Sequence, residues 1–441
     1  MGLFRRKKQV VEAPEPEPEP TLPPAPDPDE LGRRSVADHR DWLLSMVEPL
    51  PPFGMELLDA WGLPVCEDLL SDIALPAHDQ AAIAGYAVRA ADVAGAAEDN
   101  PLKLTAIGSL DASDGAEGFG EELPARSAVR VTVGAPIPGD ADAVVPLGLT
   151  DRGEQELSVF GHVRAGDNIR VRGSDVSIGD ELIRDGDLLG ARNTGLLAAT
   201  GFDKVLARPR PRVVVLATGT DLVPPGTGLR EGEVYDSNSH MLAAAARAQG
   251  AQVFRVGIVS QDPEEVKQTI SDQLVRADLL ICTGGRDDDQ TIVGQVVPEL
   301  GPTDVSEVAL QPGHKQGFGL IGDEEVPIVL LPGDPVGAFV SFEVFVRPLL
   351  RKQMGLEPLD RSVLDCTLAT QVTSEPGVAE VLRARVTDTS EGPVIEPIGS
   401  PDSHQLGDLA EGNALLLLDP DTEVLEKGDL VLAWPLQKDD R

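Results

Sequence analysis

The sequence predicts a multidomain α/β protein. Its parts are a three-layer α/β domain with a parallel-rich sheet, a helical and extended linker domain, a small β-rich insertion and a C-terminal β domain. Three observations point there. A chain of 441 residues is too long for one ordinary core, so two to four domains are expected. From Pro211 onward, apolar strand-length runs alternate with amphipathic helical stretches, the rhythm of a parallel sheet covered on both faces. After about residue 358 the helix signals fade, and runs such as "ALLLLD" and "DLVLAWPL" read as a separate β domain.

Along the chain, "MGLFRRKK" sets Leu3 and Phe4 beside four basic residues. No apolar h-region follows, so no secretory signal is expected, and position six lacks the hydroxyl residue that a myristoylation pattern needs. "EAPEPEPEPTLPPAPDPDE" is an acidic, polyproline-like linker that cannot bury a core. Its plain reading is a disordered tail; its sharper reading is a weak patch for anionic lipid or an acidic partner. Ordered structure is expected from near Ser35, where a capping residue precedes Trp42, Leu43, Met46 and Val47 at helical spacing. Residues from about 100 to 165 alternate short β-like runs with Gly/Pro turns, and "ELIRDGDLLGARNTGLLAATGF" returns to helix. In the α/β part, "RVVVLATG", "VFRVGIVS", "DLLICTGG" and "VPIVLLPGDP" are strands. Between them lie a helix closed by Gly250 and another capped by Asp262 with Pro263 in its first turn. The last of these strands leads into the helix "VGAFVSFEVFVRPLLRKQMG".

Composition excludes some functions. A formal charge of −37, from 37 basic and 74 acidic residues, argues against a nucleic-acid-binding surface. Cys66, Cys282 and Cys366 are odd in number and far apart, which suits reduced thiols in the cytoplasm and offers no zinc spacing. The 6 histidines form no close metal-binding pair, and no apolar stretch is long enough to span a membrane.

Three predicted strands of the α/β domain end in glycine turns: "LATGTDL", "ICTGG" and "LLPGDP". In an open parallel sheet those ends lie along one edge, over the crevice where the strand order switches. Glycine lets backbone N–H groups approach an oxyanion, and helix N-termini add partial positive charge. "VYDSNSHML" sets Asp236, Ser237 and Asn238 at a helix start, where N-capping accounts for at least one of them. "GGRDDDQ" places Asp287, Asp288 and Asp289 directly after a glycine turn. Three carboxylates there repel an anion unless a cation lies between them, so the loop is either a metal-assisted phosphate site or a solvated acidic loop.

With these stretches in view, the chain from about 35 to 440 resembles the molybdopterin molybdenumtransferases, the family of bacterial MoeA and the E domain of gephyrin. "LPAHDQAAIAGYAVRAAD" is similar to its P-x-F-D-N-S-A-M-D-G-Y-A-V segment, and "VGAPIPGDADAVV" to T-G-A-P-x-P-x-G-A-D-A-V-V. "GDNIRVRGSD", "LATGTDLVPPG", "VYDSNSHML", "TGG", "LQPGHKQGFG" and "LPGDPVGAFVSFE" follow in the family's order. The resemblance implies a homodimer of elongated four-domain protomers. It also implies Mg²⁺-assisted insertion of molybdate into adenylylated molybdopterin, with release of AMP. On this reading 1–33 is a basic tip and linker, 34–98 with 160–208 an elongated N-terminal domain, and 99–159 a β-rich insertion. The α/β molybdopterin-binding domain then spans 209–356 and the C-terminal β domain 357–441.

Carried over onto matching positions, the resemblance implies catalytic roles for Asp79, Asp142, Asp175 and Asp221. It implies a molybdopterin-type ligand on Gly85, Gly219, Asp236, Ser237, Asn238, Gly284, Gly285, Lys315, Pro332, Gly333 and Pro335. The metal would fall to Asp221 with Asp287, Asp288 and Asp289. Several positions depart from the pattern: Ala84, Val133, Gly148 and Ser174 replace family Asp, Thr, Glu and Glu, and His314 stands where a Lys is expected. The loop after Gly285 lacks the family's Ser and second Gly. The departures cluster in site motifs while the scaffold turns persist. The enzyme reading therefore stands beside a second, a gephyrin-like dimeric scaffold serving a protein partner, for example in cell division. A sensor that binds molybdopterin without converting it is a third.

Overall fold

The computed structural model describes residues 21–114, 123–259, 262–284, 292–399 and 404–436. The chain divides into two compact units, Pro52–Ala207 and the remainder, Met1–Pro51 with Arg208–Arg441.

The larger unit is built on a seven-stranded mixed sheet. In spatial order its strands are Arg33–Arg34, Thr303–Val308, Lys315–Ile321, Val326–Leu331, Leu279–Gly284, Arg212–Thr218 and Gln252–Val259. The last four are mutually parallel. The apolar runs of the two inner strands Arg212–Thr218 and Leu279–Gly284 are buried on both faces, because helices cover the sheet, and "RVVVLAT" is buried from Val213 to Thr218. On one face Val214, Leu216, Val266, Ile270, Leu280 and Ile328 form a continuous core. Helices Asn238–Ala248 and Pro263–Leu274 are the crossovers. The second begins as the sequence predicts: the Asp262 carboxylate accepts from the amides of Glu264 and Glu265, and Pro263 occupies the first turn.

The sheet departs from all-parallel at one edge. Lys315–Ile321 runs antiparallel to both Val326–Leu331 and Thr303–Val308. Only Gly322 to Glu325 separate the first pair, too few residues for a crossover helix. The expected long helix after "LPGDP" starts at Pro335 under an Asp334 cap and changes to a π-helical turn over Phe342–Val346. It then continues as Arg347–Met354 to a left-handed Gly355.

The segment ahead of Ser35 is also packed against this unit, where the sequence predicts a linker through residue 33. Arg33–Arg34 adds a parallel edge strand, Arg34 grips Asp304 through two bonds of 2.6 and 2.9 Å, and the Trp42 indole donates to the Pro23 carbonyl. The helix Val36–Ser45 then follows its Ser35 cap as expected.

The C-terminal strands Leu364–Leu368, Ala379–Thr389, Gly392–Pro397, Ala414–Leu418 and Leu430–Pro435 close on themselves as a barrel. Cys366, Leu368, Ile395, Leu416 and Ala433 fill it. Leu310–Gln311 leaves the α/β domain to pair with Ala379–Glu380.

The unit Pro52–Ala207 contains a five-stranded sheet ordered Ala143–Pro146, Gly85–Val88, Ser127–Val131, Leu102–Leu110, Glu156–Val159. The sheet extends N-terminally beyond the expected β insertion, since Gly85–Val88 is an inner strand buried at all four positions. A strand buried on both faces shows no alternation, so the pattern hides it. The outgoing and returning limbs pair as short ribbons, Phe53–Glu56 with Lys204–Ala207, Leu69–Leu70 with Glu181–Ile183, and Gln80–Ala81 with Ile169–Arg170. Helix occupies only Ala191–Ala199 of the stretch expected to be helical, because the Asp185-Gly186 turn follows a ribbon strand.

Candidate functional site

The strand order switches between Arg212–Thr218 and Leu279–Gly284. The first strand's crossover leads outward to Gln252–Val259, while the next one returns past it. At this point the two chains come unusually close. Gly284 has φ +129°, and a Cβ there would lie 2.0 Å from the Thr218 carbonyl oxygen, so no other residue fits.

The turns at this edge are joined by side chains. Asn238, at the start of its helix, donates from Nδ2 to the Gly333 carbonyl at 2.8 Å and to Thr283 Oγ1 at 3.1 Å. Thr283 Oγ1 in turn donates to the Pro332 carbonyl at 2.9 Å. Asn238 and Thr283 are both buried. One amide thus ties the helix start to the ends of Leu279–Gly284 and Val326–Leu331. Ser237 occupies the cap position without a side-chain capping bond, its hydroxyl donating to Asn238 Oδ1 at 3.5 Å; the capping bond comes from Asp236, whose Oδ1 accepts from the Ser239 amide at 3.0 Å. Asp334 caps the next helix, accepting from the Gly337 amide at 2.6 Å ahead of Pro335. The structure therefore brings together Asn238, Gly284, Pro332, Gly333 and Pro335, with Asp236 and Ser237 at their back.

Other expected residues lie elsewhere. Gly219 and Asp221 belong to the turn after Arg212–Thr218, where the Asp221 carbonyl accepts from the Val234 amide at 2.8 Å. Lys315 opens its strand and is half-buried; the His314 carbonyl accepts from Val308. Asp79, Asp142 and Asp175 all fall in the unit Pro52–Ala207, whereas Asp221 falls in the other. There Asp79 Oδ1 accepts from the Arg172 amide at 2.7 Å, Asp142 Oδ1 accepts from the Ala90 amide at 2.6 Å, and Asp175 is exposed. Gly85 has a packing role: a Cβ on it would sit 2.2 Å from the Val145 carbonyl oxygen. Gly285, Asp287, Asp288 and Asp289 lie outside the described residues. Among the described residues no three His, Cys, Asp or Glu side chains gather as a metal site, so Asp221 stands alone of the expected metal set.

A feature the sequence reasoning missed lies in the C-terminal barrel. A cavity of about 330 Å³ is lined by Thr370, Thr373, Glu380, Leu382, Arg383 and Ile398. Glu380 and Arg383 are buried, and Arg383 Nη2 donates to Gln405 Oε1 at 3.1 Å. The signal was Glu380, Arg383 and Arg385, three charges of both signs inside the otherwise apolar run "AEVLRARV".

A sheet of this order, with side-chain-locked glycine turns over its switch point, defines an α/β protein whose ligand site lies at the carboxyl ends of its strands. Comparison with known proteins narrows the class. Residues 34–201 match the MoeA N-terminal region (domain I and II), 214–352 the probable molybdopterin binding domain, and 365–436 the MoeA C-terminal region (domain IV). The chain is 39% identical over 417 residues to molybdopterin molybdenumtransferase 1 of Mycobacterium tuberculosis, covering 90% of this chain and 98% of that protein. It is 30% identical over 374 residues to the molybdopterin molybdenumtransferase of Bacillus subtilis, covering 83% and 86%. A solved structure of the molybdopterin biosynthesis MoeA protein from Pyrococcus horikosii superposes with a TM-score of 0.76 at 28% identity, covering 92% of this chain and 99% of that one. The chain belongs to the MoeA family.

Proposed function

We propose that this protein is a molybdopterin molybdenumtransferase of molybdenum cofactor biosynthesis, inserting molybdate into adenylylated molybdopterin with release of AMP. The observation that carries the reading is the Asn238 lock on the turns at the strand-order switch, inside the segment that matches a probable molybdopterin binding domain. Similarity to a curated transferase over 98% of that protein's length supports it.

The chemistry fits the geometry. The substrate carries a pyrophosphate and the co-substrate is an oxyanion, so both call for backbone N–H groups and a helix N-terminus. Gly219, Gly284 and Gly333 supply turns at the strand ends, and the helix Asn238–Ala248 begins there. By the family resemblance, Asp221 would act beside these turns in the α/β domain, and Asp79, Asp142 and Asp175 are the carboxylates that the same resemblance marks in the unit Pro52–Ala207. Mg²⁺ belongs to this reaction through the family resemblance. The described residues do not assemble its site, since Asp221 is the one expected ligand among them.

The same reading makes the protein a cytoplasmic homodimer. Leu58, Trp61, Ile178 and Leu188 are each more than half exposed on the unit Pro52–Ala207, apolar surface of the kind an interface covers. Among the described residues no helix is long and apolar enough to cross a membrane.

The test is turnover: purified protein with adenylylated molybdopterin, molybdate and Mg²⁺ should release AMP and yield molybdenum cofactor. Folded protein that binds the substrate without releasing AMP overturns the proposal.

A further inference from the structure

Strand Gln252–Val259 carries a bulge. Val215 faces Arg255 but Leu216 faces Gly257, leaving Val256 as the extra residue, and Gly257 takes φ +91°. A bulge re-aims the neighbouring side chain, and here that side chain is a cation. Arg255 Nη1 donates to Ser239 Oγ at 3.2 Å and lies 3.6 Å from Asp236 Oδ2. The Ser239 hydroxyl donates to the same carboxylate oxygen. Asp236 is 1% exposed and Ser239 is 0% exposed, whereas Arg255 reaches them from a partly exposed position. A buried carboxylate is held in place by a partner charge and by hydrogen bonds to its oxygens, and Arg255 supplies that charge.

Asp236 is no ordinary cap. It fixes the Ser239 amide at the first turn of the helix whose first residue is Asn238. Asn238 in turn reaches the Gly333 carbonyl and Thr283 Oγ1. The contacts therefore lead from the bulge to Asp236 and Ser239, and through the backbone to neighbouring Asn238, which holds the end of Leu279–Gly284 and the turn after Val326–Leu331.

We propose that Arg255 is a positioning residue for the ligand turns, acting through the Asp236–Ser239 pair on the register of Asn238. It touches no ligand itself. The proposal deepens the transferase reading and rests on it for the identity of the ligand. The positioning can be read without any ligand.

Two measurements separate the claims. Amide hydrogen exchange on the full chain should show protection at 239–242 and at 337–338, whose amides donate to Asp334 beside Gly333, falling about tenfold in Arg255→Met, with Arg255→Lys close to wild type. The Lys variant keeps the charge, whereas a mere space-filling role would be served equally by Met. In turnover, Arg255→Met should raise KM for adenylylated molybdopterin about tenfold with kcat changed less than twofold, because the turns hold ground state and transition state alike. Arg255→Lys should restore KM. Should Arg255→Met fail to fold, Ser239→Ala removes the bridging hydroxyl without removing a charge and should give the same exchange pattern. Unchanged protection at 337–338 in both Arg255→Met and Ser239→Ala, or equal loss in Arg255→Met and Arg255→Lys, overturns the proposal. A wild type that turns nothing over, yet shows the exchange pattern, defeats the transferase reading and leaves the positioning role standing.

Discussion

Arg361 and Glu343 face each other as a two-pronged ion pair, Nε to Oε2 at 2.6 Å and Nη2 to Oε1 at 3.0 Å, with both side chains 1% exposed. Glu343 sits on the π-helical turn of the α/β domain. Arg361 lies just ahead of the C-terminal barrel and also donates to the Pro435 carbonyl at 3.2 Å. The pair is thus a joint between the two domains. Breaking one side of a buried pair costs about 3–5 kcal/mol, and Arg347 Nε, 3.9 Å from the same Glu343 Oε2, keeps the loss here at the lower end of that range. Arg361→Met should lose stability of that order in urea unfolding. Arg361→Lys should recover less than half of it, because an ammonium cannot form two parallel bonds to one carboxylate.

Asn238 makes a different test, since its amide is neutral. Asn238→Ala should lower stability by about 1–3 kcal/mol, the cost of leaving the Gly333 carbonyl and Thr283 hydroxyl short of a buried partner. Asn238→Asp keeps the volume but turns the donor into an acceptor against that carbonyl. It should be no better than Ala, and a urea series on the three proteins checks this. An Asp variant as stable as wild type would mean that the amide bonds do not lock the turns.

His39 offers a pH signature. Its ring is 1% exposed against Trp42 and Phe345, and neither nitrogen has a hydrogen-bond partner among the described residues. Burial, helped by the nearby Arg34 and opposed by Asp304, pushes its pKa from 6.5 down to about 4. Above pH 6.5 both folded and unfolded chains hold the ring neutral, so its contribution is constant. As pH falls from 6.5 towards 4 the unfolded chain takes up a proton that the folded one refuses, and stability drops. The loss approaches about 3 kcal/mol and levels off below pH 4. His39→Phe keeps the aromatic contacts and should remove this part of the slope, read as the difference between the two proteins' stability–pH curves.

How far the sequence reaches is seen in particular residues. The strands ending at Thr218, Gly284 and Leu331 were legible because their apolar runs stop at glycine or proline, and the Asp262 and Ser35 caps because their chemistry is local. What escaped depends on distant partners. Arg33–Arg34 becomes a strand only because Thr303–Val308 leaves an edge for it, and no local pattern announces that. Gly85 reads as a ligand-binding glycine by motif, yet what requires a glycine there is the close approach of the Val145 carbonyl. The bulge that aims Arg255 at Asp236 appears only once Val215 and Leu216 are set against their neighbours. Glu380 and Arg383 lie in a strand whose pattern does not distinguish buried from exposed charges, and only the fold sets them beside a cavity.

The triple aspartate after Gly285 poses the remaining question of the site, and its answer turns on a sign. If Asp287, Asp288 and Asp289 surrounded a Mg²⁺ that offsets the substrate's phosphates, removing two carboxylates would weaken binding, and only when the metal is present. If the three form a solvated acidic loop, neutralising two of them brings less negative charge against an anion in a chain already at −37, and binding holds or tightens. The second outcome is expected, because the loop lacks the Ser and second Gly that would cradle a phosphate, and a carboxylate cluster without them repels more than it holds. Calorimetric titration of adenylylated molybdopterin into wild type and the Asp287→Asn, Asp288→Asn double variant, with and without Mg²⁺, should show equal or up to about threefold tighter binding by the variant in both conditions, about 0.6 kcal/mol. Mg²⁺-dependent tightening confined to the wild type would reverse the assignment and make this loop the metal site.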